Sequence, residues 1–440
     1  MLNIVPPHSQ SDDLPDSRRI VVFVHPGHPI TCELARFVRN GLADHGYTVE
    51  EVSFRDPEAL SRLTRLLTER AHEIFCFYSF NYTIKELALR NLWISRQDES
   101  IRASLSNTGE LLLHQLTGIP LVVHVYDHPL YLLRYESSAF DGTIVYACGE
   151  DQIDFMQKHF RSRPLYVEQE WTTDRSLPSD APDQEQFYAR RNEILCPMNL
   201  SVMGVTADDF WGQIRRLPAA RRDRSTRLIE AALYDCRTPL HAISERLEAE
   251  GDPEIEIVDL LPVLNFIKLW RRTEMVRALI DMPILISSDF VPSGLGLKYP
   301  QKFTSTSMPE TLKLYSQFRF TLNSFPLMHY AMHDRLHSAF SSNSLVITDR
   351  NATTTRLFKD QVELVFFEYN GPDMAAKVRA YIENPKRAFQ ITQNMYERRM
   401  AGTMFSQGGY GNLIEAVRHK WHERIIMSRS LVRSQATIAN

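Results

Sequence analysis

Short β-rich runs alternate with helix-like stretches along most of this chain, and this alternation constrains the fold more than any other feature. The first run, Ile20 to Val24, is followed by the loop His25–Pro29 and by a helical stretch from Thr31 to His45. Pro120 to Val125 has the continuous apolar character of a strand that is buried on both faces. Further strands are predicted at Tyr47–Ser53, Glu73–Tyr78, Thr143–Cys148 and Pro164–Val167. Such alternation predicts an open parallel sheet with helices on both faces.

The alternation restarts after Thr173–Gln184, a segment rich in Pro, Asp and Ser that is typical of a linker. A mostly helical region from Asp208 to Ile280 follows the first strand of this second half. Its strands are predicted at Glu193–Met198, Met282–Ser287, Phe318–Leu322, Ser344–Thr348 and Glu363–Phe367. We therefore predict a flexible segment at 1–19, a Rossmann-like domain at 20–172, a linker at 173–187, a second Rossmann-like domain with a helical insertion at 188–427, and a loose tail at 428–440.

Length and composition fit a folded protein of two domains rather than a fibrous or disordered chain. The chain has 440 residues, 43% hydrophobic and 24% charged, with a formal charge of -4. This charge gives no general attraction to nucleic acid, and an isolated basic cluster at Arg215–Arg224 is expected to be a solvated face. The five cysteines lack the spacing of zinc or redox motifs, and no run of about 18 apolar residues occurs. We expect a cytoplasmic protein without a membrane span, whose oligomeric state is unknown.

Polar residues gather where the strand Phe318–Leu322 ends in Asn323 and leads through a short loop into a helix. A parallel strand that ends in this way forms a pocket at its carboxyl end, where helix amides attract anions. The next strand, Ser344–Thr348, closes at the same edge with Asp349. This segment predicts a binding site for a ligand that carries phosphate.

Several segments resemble the GT-B glycosyltransferases, especially bacterial enzymes of the CgeB-like spore-maturation family. The resemblance rests on Leu322-Asn323 before a loop with proline, His333-Asp334-Arg335-Leu336 and Leu345–Asn351, with weaker similarity at Gly118–Val122 and Asp127-His128-Pro129. It implies an α/β fold of two Rossmann-like domains that face each other across a cleft. It also implies that the second domain binds a nucleoside diphosphate sugar as donor, that the first binds an acceptor of unknown kind, and that neither a metal nor a further cofactor takes part.

The chain departs from that family at positions that matter for the donor. Many retaining members of the fold use two glutamates separated by seven residues, and Tyr330 and Ser338 stand at those positions here. Asn343 stands where a glycine is expected near the end of the helix. Donor identity is therefore less constrained than the fold.

Arg335 is the first candidate for contact with the diphosphate, because its guanidinium forms charge-assisted hydrogen bonds and lies near a helix start. In a regular helix His333 and Arg335 would project about 200 degrees apart, so the helix must begin near Met332 or His333 for both to reach one ligand. The other donor-binding candidates are Asn323, Ser324, His329, His333 and Asp349.

A general base for the acceptor is expected at the carboxyl edge of the first sheet. The candidates are Asp127 and His128 after the strand Pro120–Val125, and His25 and His28 in the first loop. Asp127 has an equal claim to a capping role beside Pro129. His25 and His28 have the alternative role of shaping their loop.

Two other readings remain open from the sequence. His329, His333 and His337 are spaced by four residues, and on one continuous helix they would align as ligands of a metal-dependent hydrolase. The absence of the two glutamates instead favours a degenerate protein that binds nucleotide sugars without transferring them. Trp270-Arg271-Arg272 lies in a helix of apolar periodicity and is expected to serve packing.

Overall fold

The computed structural model of the chain describes residues 18–25, 27, 29–53, 55–80, 114, 117–132, 142–169, 180–288, 290–291, 293–325, 329–330, 332, 334–368, 373–401 and 410–438. Contacts divide the chain into two compact units. The first unit comprises Met1–Cys148, Gln152–Thr172 and Gly408–Asn440, and the second comprises Gly149–Asp151 and Thr173–Gln407.

The first unit is built on six parallel strands in the order β2-β1-β3-β4-β5-β6. These are β1 Ile20–His25, β2 Thr48–Ser53, β3 Ile74–Phe80, β4 Leu121–Val125, β5 Ile144–Ala147 and β6 Leu165–Glu168. The accompanying helices are α1 Pro29–Ala43, α2 Ala59–Glu69 and α3 Glu150–His159, with 3-10 turns at Ala71–Glu73 and Pro129–Tyr131; the first two residues of α3 group with the second unit. β1, β3 and β4 are buried along their whole length, as expected when both faces of a parallel sheet are covered.

The second unit is built on another six-stranded parallel sheet, in the order β12-β11-β10-β7-β8-β9. These are β7 Arg191–Pro197, β8 Ile284–Ser287, β9 Phe303–Thr304, β10 Phe318–Asn323, β11 Leu345–Asp349 and β12 Val365–Phe367. The helices are α4 Gln184–Ala189, α5 Ala207–Arg215, α6 Ala219–Tyr234, α7 Leu240–Ala249, α8 Ile257–Leu279, α9 Ser293–Lys298, α10 Met308–Tyr315, α11 Asp334–Ser341, α12 Ala352–Leu357, α13 Asp373–Glu383 and α14 Pro385–Met400, with a 3-10 turn at Pro300–Lys302. Its core packs Phe320, Leu322 and Ile347 against Met275 and Leu279 of α8.

The last helix, α15 Gly411–Ile438, belongs to the first unit. The indole N–H of Trp421 donates a hydrogen bond to the carbonyl of Phe75 in β3 (2.8 Å), and the guanidinium of Arg18 lies 4.2 Å from the Trp421 ring centroid. Among the helices of the described ranges, none combines the length and the apolar character of a membrane span.

Helices α5 to α8 form an insertion between β7 and β8 of the second sheet. Arg224 of α6 is only 1% exposed, and its guanidinium pairs with Glu248 (3.1 Å) and Asp252 (3.0 Å) near α7. The expectation of a solvated basic face is therefore wrong for Arg224, because these two carboxylates lie beyond α6 in the sequence and compensate its charge within the insertion.

The predicted fold class is confirmed: the chain is α/β, with two Rossmann-like domains of parallel strands as in the GT-B architecture. Two features at the C-terminus differ from the expectation. Residues 428–438 continue α15 instead of forming a loose tail, and 408–427 group with the first unit instead of the second. The amphipathic pattern of a helix shows that it packs on something, but it does not show on which sheet.

Candidate active site

The strand order of the second sheet creates one topological switch point. β7 lies between β10 and β8, so the chain connections diverge on either side of the β7 and β10 pair. Ligands of open α/β sheets bind in the crevice that such a divergence opens at the carboxyl ends of the strands. Asn323 and Ser324 lie at that end of β10, as the sequence predicted.

Asn323 and Ser324 are fully buried, yet each retains polar capacity at this edge. The Asn323 amide donates a hydrogen bond to the Thr348 hydroxyl (2.9 Å), which leaves Asn323 Oδ1 without a partner within the described ranges. Ser324 Oγ likewise has no partner among the residues that the structure describes. A buried polar atom left unsatisfied costs about 1–3 kcal/mol, so a pair of them beside a switch point is what a polar ligand would satisfy.

Asp349, at the end of β11, is buried and fixes the loop that leaves β10. Its two carboxylate oxygens accept the backbone N–H of Phe325 at 2.8 and 3.0 Å. Burial raises the pKa of the Asp349 carboxyl to about 6, although the Phe325 N–H and the charge of Arg271 act in the opposite direction. Asp349, which the sequence predicted to bind the donor, therefore also fixes the backbone at Phe325, and the sequence did not reveal this role.

His329 is also buried at this edge, and its carbonyl accepts the N–H of Ala352 (2.8 Å) at the start of α12. The N–H of His329 donates to Asp151 (3.3 Å), which is grouped with the second unit. Burial lowers the pKa of its imidazole to about 3, and the charge of Arg271 lowers it further while Asp235 opposes both. The imidazole is therefore neutral near pH 7 and acts through hydrogen bonds rather than through charge.

Arg335 lies in the first turn of α11 and is 8% exposed. Burial raises the pKa of the Cys196 thiol, in β7, to about 12, while the charges of Arg335 and Arg272 oppose this rise. The positive charges of Arg335 and Arg272 thus both act on the Cys196 thiol of β7, the strand at the switch point. α11 begins at Asp334, next to the start that the geometry of the pocket required.

Sequence reasoning did not identify Arg271 and Arg272 of α8 as residues of this edge. Arg271 is 3% exposed, donates to the carbonyl of Ala232 and acts electrostatically on Asp349 and His329. Arg272 donates to the carbonyl of Asn199 in the loop after β7 (3.1 Å). Arg271 and Arg272 do more than pack. Together with Arg335 they make three positively charged side chains that are buried near the carboxyl edge of one sheet.

The loop between α6 and α7 reaches the same edge. One guanidinium nitrogen of Arg237 donates to both carboxylate oxygens of Glu368, at 2.8 Å each, and Glu368 also contacts Arg350 after β11 (2.9 Å). The thiol of Cys236 is half-buried, and burial raises its pKa while Arg271 lowers it. This ion pair joins residues 237 and 368, which are far apart in the sequence. Local sequence patterns therefore do not predict it.

The base candidates of the first unit differ in how they are engaged. His25 Nδ1 accepts the N–H of Gly27 (3.2 Å), and Nε2 lies 3.7 Å from Glu51. Burial lowers the pKa of His25 to about 4. His128 Nδ1 accepts the N–H of Leu130 (3.2 Å) and so caps the turn Pro129–Tyr131. His28 lies outside the described residues.

Asp127 is half-buried at the carboxyl end of β4, and its carbonyl accepts a hydrogen bond from the side-chain amide of Gln152 (3.2 Å). Within the described ranges no side chain or N–H contacts its carboxylate. The capping role is performed by His128 instead, which leaves the Asp127 carboxylate available to a ligand.

The histidine row does not lie on one helix. His329 precedes α11, His337 lies within it, and His333 falls outside the described residues. The alignment of three imidazoles along one helix, on which the hydrolase reading depended, is therefore absent. In the described part of the chain, no group of three or more His, Cys, Asp or Glu side chains is arranged to hold a metal ion.

Residues 271–405 match the model of a family described as glycosyl transferase-like. The match begins at Arg271 and contains β8 to β12, together with all the donor-binding candidates. It covers less than half of the chain. No curated protein matches the chain.

Three solved structures are similar over most of the chain. A glycosyltransferase from Rickettsia africae is 11% identical, with 92% of this chain and 99% of that chain covered and a TM-score of 0.44. Anabaena HepE in complex with UDP and glucose is 12% identical, with coverage of 93% and 100% and a TM-score of 0.41. Sucrose-phosphate synthase from Thermosynechococcus elongatus is 9% identical, with coverage of 95% and 100% and a TM-score of 0.47.

The three TM-scores lie below 0.5 and the three identities lie below 25%. The match places the carboxyl edge of the second sheet in a glycosyl transferase-like segment. The similarity to a glycosyl transferase-like family thus lies in the second of two units that are each built on a six-stranded parallel sheet.

Proposed function

We propose that this protein is a glycosyltransferase of the CgeB-like kind that moves a sugar from a nucleoside diphosphate sugar to an acceptor without a metal ion. The observation that carries the proposal is the glycosyl transferase-like match, because its range contains the buried polar edge at Asn323, Ser324 and Asp349. The cysteines of the described ranges are free, which fits a reducing compartment, and we place the reaction in the cytoplasm.

Transfer requires that the diphosphate be stabilised as it leaves, because negative charge grows on it while the anomeric bond breaks. Arg335 would supply a charge-assisted hydrogen bond to a phosphate oxygen, and the charges of Arg271 and Arg272 would lower the energy of the anion. The buried hydroxyl of Ser324 would donate a hydrogen bond to the nucleotide sugar, and Asn323 Oδ1 would accept a hydrogen bond from a hydroxyl group of that nucleotide sugar. The Asp127 carboxylate would take the proton of the acceptor hydroxyl.

Thermal shift with UDP-, GDP- and ADP-glucose tests donor binding, since a ligand that binds only the folded state raises the melting temperature. We expect one nucleotide to stabilise the protein and Arg335→Ala to lose most of that shift, each variant being compared with its own ligand-free melting temperature. Arg277→Ala is the matched control, because Arg277 is half-exposed on α8 and pairs with Glu274. Equal stabilisation of the wild type and Arg335→Ala would place the donor elsewhere.

Alkylation of Cys236 locates the donor independently of stability. Its half-buried thiol lies within electrostatic reach of Asp349 and Glu368, and Cys32→Ser removes the exposed thiol that would otherwise react first. We expect the stabilising donor to slow alkylation of Cys236 by iodoacetamide. A donor that stabilises the protein but leaves this rate unchanged binds away from the edge.

A protein that binds the donor without transferring its sugar is the second candidate, and Tyr330 and Ser338 at the two glutamate positions favour it. Release of free nucleotide from the donor, with and without EDTA, separates the two. Turnover that survives EDTA supports a transferase that needs no metal. Donor-induced stabilisation without turnover, across a broad set of acceptors, supports the binder.

A further inference from the structure

A chain of hydrogen bonds runs between the strands of the first sheet near their carboxyl ends. The hydroxyl of Tyr78 in β3 donates to Nδ1 of His124 in β4 (2.5 Å), and Nε2 of His124 donates to the amide oxygen of Gln169 after β6 (3.1 Å). The same oxygen accepts the thiol of Cys148 after β5 (3.0 Å). Each group has one compatible role in this chain, so the imidazole of His124 carries its proton on Nε2.

The imidazole of His124, in the middle of this series of hydrogen bonds, packs against the ring of Tyr126. The centroids of His124 and Tyr126 lie 3.9 Å apart at an interplanar angle of 31°, and Phe80 packs against the same ring at 5.1 Å. His124 is fully buried, and burial lowers its pKa to about 3, so the support is neutral near pH 7. Tyr126 itself is half-buried.

The next residue, Asp127, is held by the same part of the sheet. Gln152 of α3 accepts the N–H of Cys148 (2.8 Å) and donates its amide to the carbonyl of Asp127 (3.2 Å). The Asp127 carboxylate has no hydrogen-bond or ion-pair partner within the described ranges. A half-buried tyrosine ring that packs on His124 and Phe80 and a half-buried carboxylate thus belong to consecutive residues directly after β4.

We propose that Tyr126 and Asp127 form the acceptor subsite and that the acceptor is a neutral carbohydrate. A sugar ring has an apolar C–H face that packs on an aromatic face, and hydroxyl groups at its edge that a carboxylate accepts. The negative charge of Asp127 disfavours acceptors that carry phosphate or carboxylate groups. The inference rests on the proposed function, which supplies the donor.

In the reaction, the acceptor hydroxyl oxygen forms a bond to the anomeric carbon of the donor while the bond from that carbon to the phosphate oxygen breaks. The proton of the hydroxyl passes to the Asp127 carboxylate. The bonding electron pair leaves with the nucleoside diphosphate. No oxidant or other co-reactant is needed for this balance.

Saturation-transfer NMR on the full chain tests the subsite without a donor. The probes are methyl β-glucoside, maltose and N,N′-diacetylchitobiose, with glycerol and a Ser/Thr-containing peptide as the alternative acceptor classes. We expect at least one sugar to receive saturation mainly on its C–H face. Tyr126→Phe keeps the ring and should retain binding, whereas Tyr126→Leu should weaken it by about ten-fold.

The activity arm separates this inference from the proposed function. With a donor that stabilises the protein, Tyr126→Leu should raise the acceptor KM by about ten-fold and leave donor binding unchanged, because the proposed subsite places the ring against the acceptor and not against the donor. Asp127→Asn should lower kcat instead. Donor binding with equal acceptor use by the wild type and Tyr126→Leu, or preference for the peptide or glycerol, overturns the carbohydrate subsite alone. Loss of donor binding in the wild type overturns the proposed function.

Discussion

At the scale of single residues, the carboxyl group of Asp349 links the chemistry of the candidate site to pH. Its raised pKa of about 6 means that it becomes ionised as the pH rises through that value. The resulting negative charge repels the diphosphate of a bound donor. We predict that affinity for a nucleotide sugar falls on the order of five-fold between about pH 5 and 7.5 in the wild type and stays nearly constant in Asp349→Asn. Isothermal titration calorimetry at several pH values measures this.

Two other groups that could titrate near the donor do not change their charge in this pH range. The diphosphate of a nucleotide sugar has no free terminal phosphate to titrate in that range, and His329, with a pKa of about 3, stays neutral. A pH dependence that persists unchanged in Asp349→Asn would assign it to another group.

Asn343 shows how a departure from the family pattern is accommodated. It follows α11 with φ of 52°, the left-handed conformation in which glycine and asparagine end helices most readily. Its side chain also donates to the carbonyl of Asp180 (3.1 Å). We predict that Asn343→Gly changes the free energy of unfolding by less than about 0.5 kcal/mol, while Asn343→Val destabilises by about 1–2 kcal/mol. Urea unfolding of both variants decides this, and equal losses would exclude the backbone explanation.

The residues at strand ends could be predicted from the sequence, because the alternation of strands and helices fixes which side chains reach a carboxyl edge. Asn323, Ser324 and Asp349 were found in this way. Arg271 was not, since an arginine in a helix with apolar neighbours has the same local pattern whether it packs or approaches a site. Its role depends on its electrostatic effect on the pKa values of Asp349 and His329, which are remote in sequence.

At the scale of secondary structure elements, the insertion α5 to α8 depends on one buried ionic cluster. Arg224 is held by Glu248, Asp252 and the Ser244 carbonyl, all in or near α7. Removing one partner of a buried ion pair leaves uncompensated charge and costs about 3–5 kcal/mol. We predict that Arg224→Met increases amide hydrogen exchange across α6 and α7 and lowers the stability of the second unit by about that amount.

Arg222→Ala on the same helix is the matched control, because Arg222 is half-exposed and forms a surface ion pair with the neighbouring Asp223. Its loss should be below about 0.5 kcal/mol, as for most surface pairs. Faster exchange confined to the site of substitution in Arg224→Met would show that the cluster does not hold the two helices together.

The strands were predictable to within a few residues, whereas the destination of α15 was not. Each strand has a short apolar run with turn residues at its ends, which is a local signal. The packing of α15 on the first sheet depends on Trp421 reaching Phe75, a contact across most of the chain. A prediction that assigns consecutive elements to one domain fails where the chain returns to its first unit.

At the scale of the whole molecule, buried histidines predict that the two units respond differently to acid. In the first unit, burial lowers the pKa of His25 to about 4 and of His124 to about 3. An imidazole with a lowered pKa binds its proton more readily after unfolding. The stability of this unit is therefore complete above the unfolded pKa of about 6.5 and is lost as the pH falls toward the folded values.

The second unit contains one shift in each direction. His329 resembles the two histidines above, with a pKa lowered to about 3, but Asp349 has a pKa raised to about 6. A carboxyl with a raised pKa is more easily protonated in the folded state, so it adds stability as the pH falls from about 6 toward about 4. Between these values the two contributions oppose each other, and the second unit is expected to change little.

We predict that acidification from about pH 6 to 5 lowers the stability of the first unit by roughly 2.4 kcal/mol, since two histidines contribute about 1.2 kcal/mol each over this range. Differential scanning calorimetry at both pH values should show that the first unit has the lower-melting transition at the lower pH. His124→Gln, which keeps an amide in place of the imidazole, should halve that unit's dependence on pH. A dependence that His124→Gln leaves intact would mean that His124 is already protonated in the folded state, which contradicts its place between Tyr78 and Gln169.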